Sequence, residues 1–175
     1  GAGEIATAVA WRLYRANLRR IVMLERPRPL AVRRGVAFCE AVYDGIQEVE
    51  GVNAVLCQEV DTIDRCWQDD KIAVIVNPYW RMLESIKADV VVDAILAKKN
   101  LGTNLSEAQL VVGLGPGFIA GQNVHMVIET NRGHDLGRII TSGSAEPNTG
   151  VPGPIQGYTE ERVIRASAEG RFRTT

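Results

Sequence analysis

The chain has 175 residues, a formal net charge of −1 and 46% hydrophobic residues, which suits one domain, or a domain plus a fragment. No apolar run approaches the roughly 18 to 20 residues of a membrane span, and no basic n-region with an apolar core marks a secretory signal. Its three cysteines, Cys39, Cys57 and Cys66, are widely spaced and form no C-x-x-C pair, so neither a disulfide framework nor a zinc site is indicated and a cytoplasmic setting is expected.

Charge is unevenly spread. Residues 1–34 carry eight arginines against Glu4 and Glu25. A basic segment beside a glycine turn suits a phosphate-bearing ligand. For Arg12, Arg15 and Arg19 a solvated helix face is the simpler reading. Without a lysine-rich run or interleaved aromatics, no nucleic acid is expected.

The chain opens on GAGEIATAVAWRL. Gly1, Gly3 and Ala6 match the G-x-G-x-x-G/A turn that binds dinucleotides, which normally follows a buried strand. That strand is not in this sequence, so the unit is expected to lack its first strand. Ile5, Val9 and Leu13 predict a helix ending near Asn17. Residues 20–24 (RIVML) read as a buried strand closed by Glu25, which lies 22 residues after Gly3, about where such units place the acid that bonds a ribose. Arg26 and Arg28 are placed to meet a 2′-phosphate or to stay in solvent. The glycines also admit a purely structural role in tight helix–strand packing.

Pro27 and Pro29 break the chain. Residues 34–43 predict a helix ending at Gly45. Arg33 and Arg34 at its start oppose the helix dipole, a placement that sometimes marks an anion site. Residues 46–56 read as two strands with a turn at Glu50-Gly51, residues 59–68 as a helix, and residues 72–76 (IAVIV) as a strand buried on both faces of a parallel sheet. A short helix over residues 79–86 and a strand over 90–92 follow. Asp93 ends that strand at the carboxyl edge, where open α/β sheets place ligands. Alternating strands and helices predict an α/β fold with a Rossmann-like, mostly parallel sheet.

Residues 110–112 predict a strand feeding a second glycine loop, with Gly113, Gly115, Gly117 and Gly121 within nine residues. Such a loop reads either as a cradle for an anion or as a set of turns. Strands over residues 124–128 and 138–141 come next. Residues 143–157, with Pro147, Pro152 and Pro154, read as a loop, and the tail turns strand-like around Val163. Both histidines, His125 and His134, lie near Glu129, Arg132, Asp135 and Arg138. On a strand His125 and Glu129 share a face and could ligate a metal with His134. A hydrogen-bonding role fits better, and no metal is expected. No G-x-S-x-G elbow or other self-evident catalytic set is present.

GAGEIAT, LERPRPLAVRRGVAFCEAVYDG, VVDAILAKKNLGT, VVGLGPGFIAGQNVHMVIETNRGHDLGR and SAEPNTGVPG together resemble the accessory proteins of the selenium-dependent molybdenum hydroxylase system, and more distantly the xanthine dehydrogenase accessory proteins. The resemblance covers nearly the whole chain. It implies a cytoplasmic maturation factor for molybdenum hydroxylases, with the hydroxylase apoenzyme as partner. Members start one strand earlier and continue into a small β domain. That suggests a Rossmann-like unit over residues 1–105, a glycine-loop and β extension of the same core over 106–160, and the start of a further β domain over 161–175. Members usually carry Asp where Glu4 stands and often Gly where Ala8 stands.

The expected ligand is an anionic cofactor, either NAD(P) or a molybdopterin dinucleotide. Gly1, Gly3, Gly113, Gly115 and Gly117 would meet phosphates, with Arg33 and Arg34 as charge partners. Glu25, Asp93, His125, Glu129, Arg132 and His134 would supply polar contacts. Two other readings stay open: an enzyme acting on selenium or a nucleotide, and a scaffold for the apoenzyme that binds no nucleotide. Self-association stays open as well.

Overall fold

The computed structural model describes residues 1–76, 86–164 and 166–170. The expected helix over residues 79–86 lies almost wholly outside them.

Helix α1 spans Glu4–Arg15, with Glu4 in its first turn and Arg12 and Arg15 in its last, each complementing the helix dipole. Asn17 at φ 69° ends it. The Leu18 N–H reaches the Leu13 carbonyl and the Asn17 N–H the Tyr14 carbonyl, the paired bonds of a Schellman stop. Ala2, Ala6 and Ala10 are all buried, so small side chains let the helix lie close on the sheets.

The strands form two four-stranded sheets. The first contains β1 (Val22–Glu25), β2 (Ile46–Val49), β3 (Val52–Cys57) and β4 (Ile72–Val76). Their order is β1-β4-β3-β2, parallel except for the β2–β3 hairpin. Glu50 at φ 47° and Gly51 at φ 77° make the tight turn of that hairpin, as Glu50-Gly51 predicts. The second sheet contains β5 (Val90–Asp93), β6 (Leu110–Leu114), β7 (Met126–Ile128) and β8 (Ile139–Ile140) in that order, with only β8 antiparallel.

Period-two alternation divides the side chains between layers. Met23, Ala54, Ile72 and Val74 of the first sheet share one cluster with Val112 and Leu114 of the second and with Ala6 and Ala10 of α1. On the other face Leu24, Ala73 and Ile75 meet Ile63 and Cys66 of α3 (Ile63–Gln68). The fold is α/β and Rossmann-like, with helices on both faces of a mostly parallel framework and a loop-rich C-terminal part.

Two expectations need correcting. Residues 34–43 do not form one helix. They form 3-10 turns at Arg34–Val36 and Phe38–Glu40, then the short helix α2 (Ala41–Asp44). Ala37 is extended, the Phe38 N–H is given to the Thr7 hydroxyl and the Cys39 N–H to the Ala2 carbonyl. Bonds to α1 thus replace the helical ones. The tail carries a 3-10 turn at Glu160–Arg162, and no strand is assigned around Val163 among the described residues.

Candidate functional site

The carboxyl ends of β1 and β5 converge on the first glycine turn. A Cβ on Gly1 would lie 3.7 Å from Glu25 Oε2 and 3.7 Å from Ile95 Cγ1. Glu25 is buried, and its carboxylate accepts the Ala2 N–H at 2.7 Å and the Arg26 N–H at 2.8 Å. The acid expected to reach a ribose is therefore turned onto the glycine turn and fixes its path. Asp93, also buried, accepts the Thr103 hydroxyl at 2.7 Å and the Ile95 N–H at 3.1 Å, pinning the loop that leaves β5. That loop is strained, with Leu96 at φ 58° and Lys98 at φ 61°. Left-handed backbone costs a bulky residue about 1 to 2 kcal/mol.

Thr7 is the hidden hub of the turn. Only 1% exposed, it accepts the Phe38 N–H at 2.8 Å and donates to the Ala2 carbonyl at 3.1 Å. Thr7→Val keeps the shape but leaves a buried N–H without an acceptor. A loss of about 1 to 3 kcal/mol is expected, read as a lower urea midpoint with unchanged m.

A Cβ on Gly1 would meet only ordinary contacts, and Gly3 has still more room. It stands before α1 with φ −68° and ψ −176°, a conformation open to any residue, and a Cβ there would meet nothing within 4 Å. A Ser or Asp at this position would cap the helix, whereas Gly3 supplies no side-chain cap. The fold itself does not require glycine at this place. The first N–H groups of α1 also lack carbonyl partners within the helix.

The second glycine loop is explained from within the chain. A Cβ on Gly113 would lie 2.4 Å from Phe118 Cγ, and one on Gly115, at φ 78°, 2.5 Å from Thr130 Oγ1. On Gly117, at φ 110°, a Cβ would approach the Lys99 backbone to 2.6 Å. These glycines admit neighbouring protein atoms. The segment from Asp93 to Lys99 therefore touches Gly1 at one end and Gly117 at the other, which brings the two glycine loops to the same carboxyl edge.

Arg33 and Arg34 are both engaged with carboxylates. Arg33 donates from its backbone and its Nε to Glu4 Oε1, at 2.7 and 3.0 Å. These bonds hold the Glu4 carboxyl below its ordinary range. Arg34 Nε donates to Glu40 at 2.7 Å, and Glu40 is buried while the arginine is mostly exposed.

His125 and Glu129 do not share a site. His125 precedes β7 at its amino end, where its Nδ1 accepts the Val111 N–H at 2.9 Å. Glu129 follows the carboxyl end of β7, about 13 Å along the strand at ~3.3 Å per residue. Glu129 is 3% exposed and accepts the N–H groups of Thr130, Asn131 and Glu146, each at 2.8 Å. Burial alone would raise its carboxyl, but these bonds outweigh it and hold the group below the ordinary value. Arg132 and His134 are exposed in the turn beyond, at the same edge as the glycine loops. There Arg138 pairs with Asp135 at 3.3 Å.

The cysteines offer no ready nucleophile. Burial and the nearby Glu25 and Glu40 push the Cys39 thiol up to about 11. Burial and the neighbouring Cys57 push Cys66 up to about 12. Among the described residues no cluster of three or more His, Cys, Asp or Glu side chains is arranged to hold a metal, and no helix is long and apolar enough to cross a membrane.

Sequence reasoning missed Thr7, Thr103 and Thr130, whose partners are distant along the chain. It also missed Glu4 as the partner of Arg33. The acid in the first turn of α1 was the one visible signal.

Fold and turn together define a Rossmann-like α/β unit with its glycine turn at the carboxyl edge. The chain is 50% identical over 174 residues to YqeB of Escherichia coli (strain K12), a protein described as uncharacterized. The match covers 99% of this chain and 32% of YqeB, so the chain spans about a third of that relative's length. No family model matches the sequence, and no solved structure matches it.

Proposed function

We propose that this chain is the cofactor-holding α/β unit of a cytoplasmic accessory protein that matures selenium-dependent molybdenum hydroxylases. The ligand is anionic and nucleotide-like, NAD(P) or a molybdopterin dinucleotide, and the hydroxylase apoenzyme is the partner. The motifs GLGPGF and HMVIETNRGHDLGR support the pathway. Gly3 carries the chemistry: a glycine that the fold does not need, before the N-terminus of α1, is what close approach of a pyrophosphate requires. The second glycine loop shapes the edge of the site.

A second reading, a scaffold that binds no nucleotide, is favoured by the Glu4–Arg33 and Glu40–Arg34 pairs, which occupy the cations expected to meet phosphate. Thermal-shift measurements on the full-length protein with NAD, NADP, CTP and molybdopterin cytosine dinucleotide separate the two. The cofactor reading expects a rise of about 2 °C or more with one of them at saturating concentration. A stable protein unmoved by all four supports the scaffold instead.

A further inference from the structure

We infer that Leu30 and Val32 form a docking prong beside the ligand turn, shaped to enter an apolar pocket rimmed by carboxylates on the hydroxylase apoenzyme; the identity of that partner rests on the function proposed above. Side chains alternate inward and outward along this stretch. Pro29 is buried, and Ala31 packs against the core cluster beneath α1. Leu30 and Val32 point the other way and are 85% and 93% exposed. Leu and Val are among the residues most often fully buried. Here the smaller residues face inward and the larger aliphatic ones face solvent, the reverse of what core packing selects. Exposed apolar surface of this kind marks contact with another molecule.

The stretch is held at both ends. The Tyr43 hydroxyl donates to the Pro29 carbonyl at 2.7 Å. Glu4 accepts the Arg33 backbone N–H and Nε at 2.7 and 3.0 Å. Pro27 and Pro29 restrict the backbone leading into it. A loop ordered in advance loses little freedom on binding, which favours a protein pocket of fixed shape. A fluid bilayer has no fixed shape to match. Tyr43 lies beside the prong, half-exposed, with the Arg34 guanidinium 5.8 Å from its ring centre. Tyrosine and arginine are side chains that carry much of the energy of protein interfaces.

Charge selects the partner. Arg19, Arg20, Arg33 and Arg34 each pair with a carboxylate. Among the described residues Arg26 and Arg28, both exposed next to the prong, have no such pair. Two copies joined prong to prong would bring these cations together. The apolar groove along α1, lined by Ile5, Val9 and Leu13, is edged by Arg12 and Arg15 and repels them too. Neither arrangement suits a second copy, whereas a carboxylate rim complements both arginines. The stretch also leaves β1 just past Glu25 and is tied through Arg33 to Glu4, next to Gly3. A partner seated on the prong stands against the ligand turn, where passing a cofactor between two proteins requires it.

Biolayer interferometry of the full-length protein on immobilised hydroxylase apoenzyme tests this, with Leu30→Ser/Val32→Ser as the variant. Its affinity for the apoenzyme is expected to be about tenfold or more weaker, with the urea midpoint and dinucleotide binding of the natural protein retained. Arg28→Glu should slow association by about threefold or more at low salt, with the difference shrinking as salt rises. Equal affinity of the natural protein and the double variant would overturn the inference. A lowered urea midpoint in that variant would place the prong inside the folded full-length chain and overturn it too. A change from dimer to monomer would assign the prong to a second copy. Loss of binding to phosphatidylglycerol vesicles, with apoenzyme binding intact, would assign it to a membrane. Either result overturns the inference and leaves the proposed function standing. A natural protein that does not bind the apoenzyme at all would instead remove the proposed partner, and the prong's assignment with it.

Discussion

Replacing Glu129 by alanine is expected to destabilise the protein by about 3 to 5 kcal/mol, enough to threaten a fold whose total stability is of the order of 5 to 15 kcal/mol. One buried carboxylate accepts three backbone N–H groups, from Thr130, Asn131 and Glu146. It thereby ties the end of β7 to the turn after it and to the loop that follows β8. Alanine leaves three donors unpaired and a cavity where the carboxylate stood. The same bonds predict a pH dependence. The folded carboxyl lies below its ordinary value, so its stabilisation is complete above the usual carboxylate range. It is lost as pH falls through the folded value. Urea midpoints between about pH 7 and pH 3 should fall with acid in the natural protein and fall less in Glu129→Gln. Equal slopes would show that this carboxylate does not contribute to acid sensitivity.

Gly117→Ala is the second large effect, expected to cost about 3 to 5 kcal/mol. Two penalties coincide. At φ 110° an L side chain is strained wherever it is placed, and the added Cβ meets Lys99 backbone atoms at 2.6 to 2.8 Å. The Lys99 backbone has little freedom to retreat, because it follows the left-handed Leu96 and Lys98 in a loop anchored by Asp93 and Thr103. By contrast, Gly121→Ala has space around it, with no atom within 4 Å, and pays only for its φ of 82°. Thermal unfolding of the two variants should therefore separate by several degrees, with Gly117→Ala the lower. Equal melting points would mean that the close approach of Lys99 is not a constraint.

Features set by neighbours in sequence were legible from the residues alone. IAVIV predicts a strand buried on both faces, and β4 is one. Glu50-Gly51 predicts the hairpin turn, and Glu25 and Asp93 close their strands as expected. Features set by distant partners were not. Nothing local in residues 34–43 shows that the Phe38 and Cys39 N–H groups will be taken by Thr7 and Ala2. The i, i+4 spacing of His125 and Glu129 suggests a shared strand face, but the two residues flank β7 at its opposite ends, and along an extended chain that spacing separates them. The second glycine loop misled for a related reason. Its glycines answer to Phe118, Thr130 and Lys99, and two of those three contacts form only in the folded chain. Gly3, less conspicuous in sequence, has no neighbouring protein atom that would exclude a side chain.

The central claim is that a nucleotide-like ligand lies against the turn at Gly3. Isothermal titration of the full-length protein and its Gly3→Ala variant with NADP, and separately with molybdopterin cytosine dinucleotide, tests it most directly. The added methyl meets no protein atom, but alanine is a poorer N-cap than glycine, so the variant's stability should stay within about 1 kcal/mol of the natural protein's. Its affinity for the bound dinucleotide should fall by about tenfold or more, equivalent to about 1.4 kcal/mol. Undiminished affinity in a stably folded Gly3→Ala protein would contradict the placement of the ligand on this turn.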